Sequence, residues 1–418
     1  MSSTRVDDAL AISEQWLEEM DLVRLTRARL ETAGLLNTDV DVVAIGKASR
    51  EMYDAVEAAL GSRVRRRYVV ADEVSGAHVA ANVLIGEHPV PGEGSLRAGE
   101  ALISFLEEST TAHCTLFLLS GGASSLCVLP VAPVSLEDLR GVWDSALATG
   151  VDITTLNKIR ASTSALAGGG VLRHVGTPES CSLILVDNVI SGAEWVASGL
   201  TYDYEPAPEE VALLFDHVAL IGTALGERLL KGYERRARLI AVPPTSHHEN
   251  VVLAEPSMMF DHTLVEARRR GYRVVNMGSR VHGDVASVVA HWKNVLRRES
   301  NERGPTAFVG VGEVTVKVEG NGTGGRCQEF AWLMAQVLGD MERDSAFVAR
   351  ASDGRDYVSG VGGAWVDSST MDRLLVEGVI WAEVARANDT YPALKSLGQL
   401  IDGGHTGWNL CDVYVALW

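Results

Sequence analysis

Four short segments hold the residue types best suited to chemistry. Gly46 and Lys47 follow the apolar run Asp41 to Ile45. A lysine at a strand-to-helix turn sets a compact positive charge beside backbone N–H groups, which suits an anionic ligand. It is not a P-loop, because Asp41 stands where the first glycine of that motif belongs and Ala48 where its hydroxyl residue belongs. A plain surface lysine is the competing reading. Ser120, Gly121 and Gly122, continuing through Ser124 and Ser125, come directly after the run Thr115 to Leu119. Glycines there let N–H groups approach a phosphate or carboxylate, and the hydroxyls add donors; a simple tight turn fits as well. Gly320 to Arg326 is glycine-rich and ends in an arginine, whose fork suits a carboxylate or a transferring phosphoryl group, delivered by a flexible loop. Its spacing does not make a dinucleotide fingerprint. Asp353 and Asp356 put two carboxylates near a strand end, where Mg²⁺ with nucleotide phosphates or an ordinary surface turn would both fit. His247 and His248 are adjacent and so point in different directions, which argues against a shared metal.

The elements that must position these residues alternate between strand and helix. Strands are expected at Asp41 to Ile45, Tyr68 to Val70, Val83 to Ile85, Thr115 to Leu119 and Ser182 to Val186, and later at Arg273 to Met277, Thr306 to Val311, Val314 to Val318, Ser345 to Arg350 and Val413 to Leu417. Ile12, Trp16, Met20 and Val23 recur at helical spacing. Ser135 and Asp138 form a capping box for a helix with Leu136, Leu139, Trp143 and Leu147 on its inner face. Alternation of this kind implies parallel sheets covered on both faces, with ligands bound beyond the carboxyl ends of the strands. A polar, proline-bearing stretch suggests a boundary near residue 240, giving domains 1–240 and 241–418.

Composition sets the outer limits. A chain of 418 residues with 46% hydrophobic and 22% charged residues is globular and long enough for two or three domains. Its 37 Lys and Arg against 55 Asp and Glu give a formal charge of −18, the opposite of a nucleic-acid binder. Five scattered cysteines without CxxC spacing argue against a disulfide framework or structural zinc. The N-terminus lacks the apolar core of a signal peptide, and no apolar run approaches the ~20 residues of a membrane span. A cytoplasmic enzyme is expected, with homo-oligomerisation left open.

In order along the chain, these segments resemble the glycerate 2-kinase family whose C-terminal half is the MOFRL domain. The matching residues are Gly46 to Ala48; His88 to Pro91 with Ser95; Ser120 to Ser124; Asn157 with Arg160, Ser164, Gly168 and Gly169; Asp187; and Ala197 to Gly199 with Thr201. The C-terminal half adds Glu313, Gly324 to Arg326, Gln328, Glu329, Asp353, Asp356, Asn388, Tyr391, Thr406, Asn409 and Asp412. The resemblance implies a two-domain α/β fold, a Rossmann-like N-terminal domain plus a MOFRL-like C-terminal domain, with an active site in the interdomain cleft. It implies ATP and Mg²⁺ as cofactors and D-glycerate, converted to 2-phosphoglycerate, as substrate. By carry-over Lys47 and Arg326 stabilise the transition state and Asp187 takes or orients the hydroxyl proton. Ser120, Gly121, Gly122, Ser124, Asn157, Arg160, Ser198, Glu313, Gln328, Glu329, Asn409 and Asp412 bind substrate or nucleotide, and Asp353 and Asp356 hold the metal.

The sequence departs from the family pattern at Ala167, Val186, Ser191, Cys327, His405 and Trp408, positions expected near ligand, while the glycine framework is kept. Two alternatives therefore stand beside glycerate phosphorylation: a kinase of the same fold acting on another hydroxylated small acid, and a ligand-binding homologue without turnover. A dehydrogenase is the outsider, for want of a dinucleotide fingerprint.

Overall fold

The computed structural model describes residues 4–72, 83–108, 110–244, 246–299, 304–341, 343–404 and 406–418. It divides into two compact units.

The first unit comprises Leu22–Val186 and Ile190–Ala254. Its sheet contains β1 (Val40–Ile45), β2 (Val64–Ala71), β3 (Val83–Ile85), β4 (Cys114–Leu119), β5 (Glu179–Leu185) and β6 (His247–Ala254). The order is β3-β2-β1-β4-β5-β6, and every pair is parallel. All six residues of β1 and of β4 are buried, as continuous apolar runs in a doubly covered parallel sheet should be. The order reverses between β1 and β4, so the loops after these two strands open the crevice in which such sheets bind ligands. Those loops carry Lys47 and Ser120 to Gly122.

The second unit comprises Met1–Asp21, Asp187–Val189 and Glu255–Trp418. Its strands are β7 (Arg273–Asp284), β8 (Thr306–Thr315), β9 (Ala346–Ala351), β10 (Val361–Asp367), β11 (Leu400–Asp402) and β12 (Asp412–Leu417). They run in the order β11-β10-β9-β12-β8-β7. Only β7 and β8 pair in parallel; the other neighbours are antiparallel, so this sheet is mixed. Trp292, Phe330, Phe347 and Tyr414 pack edge to face or tilted in its core.

Several expectations change. The cut at residue 240 does not divide the contacts, because β6 pairs with β5 and extends the first sheet to Ala254. The two strands expected at 306–311 and 314–318 are one, β8. The chain continues straight through Gly310 and Gly312, which permit close packing: a Cβ on Gly312 would lie 1.8 Å from the carbonyl oxygen of Val281. The N-terminal stripe is broken into helices Thr4–Glu14, Trp16–Glu19 and Leu22–Thr32, which bury Ile12, Trp16 and Met20 but leave Val23 exposed. The Ser135–Asp138 capping box is present, yet Leu147 faces solvent and Val142 and Ala146 take the buried face.

Candidate active site

In the first unit, Gly46 adopts φ +134°, and a Cβ there would strike the Ser120 hydroxyl at 2.1 Å. Only glycine allows that approach. The Ser120 hydroxyl accepts from the Ala48 N–H at 3.1 Å, and the Lys47 N–H donates to the Gly121 carbonyl at 2.9 Å. Ser120 therefore joins the two loops and is 1% exposed; its part is to shape the site. Gly122, at φ +84°, leaves room for the Lys47 side chain and the His88 ring, each 3.2–3.4 Å from where its Cβ would be.

The Ser198 hydroxyl lies 2.8 Å from that of Ser124 and 3.0 Å from Asn157 Oδ1. Ala197, Ser198 and Gly199 all adopt left-handed backbone, a run that costs strain and aims Ser198 at this network. Gly168 and Gly169 donate to the carbonyls of Ser198 and Gly199, holding the turn. The buried Arg236 donates in turn to the carbonyls of Ser164, Ala167, Gly168 and Tyr204.

Arg160 lines a largely apolar pocket together with Ser124, Ser198 and Ala167. Its guanidinium stacks on Trp143 at 5.3 Å, which fixes its plane. Burial pushes its pKa down to about 10, so it stays charged at neutral pH. Among the described residues neither Lys47 nor Arg160 has a carboxylate within 4.0 Å. Partial burial, then Lys47, then Arg160 hold His88 below the usual imidazole range, with Asp72 opposing. Such a neutral ring beside two unpaired cations suits a site awaiting an anion. His88 stands in a matching segment of the sequence without a role that its own residue type assigns. Its one signal was the neighbouring prolines; its nearness to Lys47 arises only in the fold.

In the second unit, Arg326 opens the Arg326–Gly339 helix. Its Nε and Nη2 each donate at 2.7 Å to the carboxylate of Asp412, which is 0% exposed, and Glu313 lies 3.5 Å from Nε. Burial lifts Asp412 to about 7 against the opposing pull of Arg326. Burial works against the charged guanidinium as well, yet Asp412 holds Arg326 well above its ordinary range. The bidentate geometry supports the ionised pair at neutral pH. Tyr414 Oη lies 3.1 Å from Asp412 Oδ2 and closes the cluster.

The glycine-rich segment before Arg326 is packed, and the expectation of a flexible loop is corrected. Cβ atoms on Gly320, Gly322 and Gly324 would meet Ala387, Asp389 and Thr390 at 2.2–2.5 Å. Asn388 Oδ1 accepts from the amides of Glu319 and Gly320. Gln328 and Glu329, expected to bind ligand, are buried in the first turn of the helix. The Gln328 side chain donates to Asp356, and Glu329 accepts from Asn388 at 3.3 Å.

Asp356 also needs correction. It is 0% exposed, and its two oxygens accept from the amides of Cys327 and Gln328 at 3.0 and 2.8 Å. It caps the helix, an orphan-amide role filled from a distant loop. Asp353 is partly exposed and uses one oxygen in a turn to the Arg355 N–H. No group of three or more His, Cys, Asp or Glu side chains poised for a metal occurs among the described residues. Asp187 meets Asn409, whose Nδ2 donates to Asp187 Oδ2 at 3.4 Å. Of the departing positions, Val186 lies buried at the end of β5, Ser191 is buried, and Cys327 is buried in the helix start. Trp408 packs on Trp16, and His405 lies outside the described residues.

Residues 5–225 match the model of a domain of unknown function, DUF4147, and residues 306–412 match that of the MOFRL family. The chain is 29% identical over 404 residues to the D-glycerate 2-kinase of Thermotoga maritima, covering 94% of each chain. It is 29% identical to the glycerate 2-kinase of Pyrococcus horikoshii, covering 99% of this chain and 95% of that one. A crystal structure of a glycerate kinase from Thermotoga maritima superimposes with a TM-score of 0.86 at 25% identity, covering 100% of both chains. A parallel sheet with its switch point between β1 and β4, followed by a mixed sheet, is thus the DUF4147-plus-MOFRL class of α/β protein. The chain belongs to the glycerate 2-kinase family.

Proposed function

We propose that the protein transfers the γ-phosphate of ATP to the 2-hydroxyl of D-glycerate, giving 2-phosphoglycerate. The observation that carries this reading is the pair of cations, Lys47 and Arg160, without a carboxylate partner among the described residues, in the site whose shaping loops follow β1 and β4. Two such charges require an anion, and a substrate that keeps its carboxylate while its hydroxyl becomes a phosphate ester supplies one throughout the reaction.

Phosphoryl transfer asks a protein chiefly for positioning and for neutralisation of spreading charge. Lys47 supplies a point charge for phosphoryl oxygens. Arg160, its plane held by Trp143, presents a fork that suits the carboxylate of the acid. Ser124, Ser198 and Asn157 offer donors and acceptors to the glycerate hydroxyls. Arg326, with its Nε and Nη2 on Asp412, keeps Nη1 for developing charge. Asp187 orients the 2-hydroxyl and accepts its proton. Mg²⁺ would neutralise phosphate charge when bound with the nucleotide, which commonly needs only one or two protein carboxylates. Asp353 fits that part, since among the described residues only one of its oxygens is engaged, whereas both oxygens of Asp356 are taken by the helix amides.

Incubation with ATP, Mg²⁺ and D-glycerate, followed by ³¹P NMR, tests the reading. A 2-phosphoglycerate resonance should grow, and Lys47→Ala should slow it on the order of 100-fold with unchanged melting temperature. No product under saturating substrates would sink the proposal.

A further inference from the structure

The segment Asn409 to Asp412 bears on two of the residues given catalytic roles above. Asp412 fixes Arg326, while Asn409 and Cys411 both turn to Asp187. The Cys411 thiol donates to the backbone carbonyl of Asp187 at 3.1 Å, and the Asn409 side-chain amide donates to its carboxylate at 3.4 Å. One contact holds the peptide and the other the side chain, so together they limit rotation of the carboxylate about its own backbone.

The backbone is arranged to make this possible. Cys411 adopts φ +70°, in the left-handed region that a cysteine enters only at a cost. The distortion is held in place by its neighbours. The Leu410 N–H donates to the Ser352 hydroxyl at 2.7 Å, the Ser352 N–H donates to the Cys411 carbonyl at 3.0 Å, and Asp412 enters β12. Cys411 is 3% exposed, which leaves its thiol enclosed rather than reactive. Burial, with Glu313, Asp412 and Asp187 adding to it, pushes the thiol up, so it is a protonated donor. A left-handed non-glycine residue whose side chain reaches a proposed proton acceptor is a strained feature with an evident use.

We infer that Cys411 and Asn409 are positioning residues for Asp187, with the left-handed turn at Cys411 aiming its thiol at the Asp187 backbone. Asn409, expected from the sequence to bind ligand, then acts through Asp187. The inference rests on the role given to Asp187 under the proposed function.

A double-mutant cycle on the full-length enzyme separates the two. Cys411→Ala should lower kcat roughly tenfold with the KM values for ATP and glycerate within about twofold, and Cys411→Ser, which keeps a donor, should restore most of the loss. In the Asp187→Asn background, Cys411→Ala should have no further effect on the residual rate, because its action passes through that carboxylate. Multiplicative loss in that background, or a kcat for Cys411→Ala equal to wild type, overturns the positioning role. If Asp187→Asn alone keeps the wild-type rate, the reading of Asp187 fails instead. Thermal melts of each variant show whether a lost rate reflects a lost fold.

Discussion

Charged residues in this protein fall into two physical groups. Lys47 and Arg160 lack carboxylate partners among the described residues, whereas Arg326 is held by the buried Asp412, and Asp356 and Glu329 are buried and engaged. The second group makes stability depend on pH. Burial lifts Glu329 from 4.5 to about 7, despite the Asn388 hydrogen bond that lowers it. Between these values the folded protein binds more protons than the unfolded chain, so stability falls as pH rises. The contribution is fully present below the unfolded value and is lost through about pH 7. Glu329→Gln, which keeps the shape and an acceptor for Asn388, should flatten that part of the slope. Melting temperatures measured from about pH 5 to about pH 8 check it, and a slope equal to wild type would contradict a buried, protonated Glu329. Asp412, raised for the same reason, keeps some slope in the variant.

Elements in the second unit end and begin where distant residues complete them. The Arg326–Gly339 helix has a glycine at its N-cap with no side-chain hydrogen bond, and Asp356 supplies the missing acceptor. Asp356→Ala should therefore cost about 2 kcal/mol, the upper part of the range for a lost cap, because the two amides would remain buried. Urea unfolding measures this, and Asp356→Asn should recover part of it. A change near zero would mean that the helix start is held by other contacts. The glycine-rich segment carries a related lesson. Its composition reads as flexibility, but its glycines serve close packing against Ala387 to Thr390. Composition reveals which backbone has no side chain in the way and is silent on what comes close to it.

The whole molecule has separate hydrophobic cores. One is built around Trp292, Phe330 and Tyr414, and others around Phe117 and around Phe215. Chains with more than one core commonly depart from two-state unfolding. Calorimetry should give a van't Hoff enthalpy well below the calorimetric enthalpy, and equality of the two would show a single cooperative transition. Much of this organisation was legible in the residues. The buried strands β1, β4 and β12, the Ser135–Asp138 cap and the placement of Lys47 at a strand end follow from apolar runs and local turn chemistry, which act between neighbours in sequence. What the sequence determined by itself was therefore most of the strands, the family and the residues eligible for chemistry. The division of those residues into unpaired and committed was decided by tertiary structure alone. Asp356 belongs to a helix cap 28 residues away, Arg326 to a carboxylate 86 residues away, and Cys411 to a carbonyl 224 residues away. Partners at such separations are chosen by how sheets stack and loops return, which local pattern does not encode.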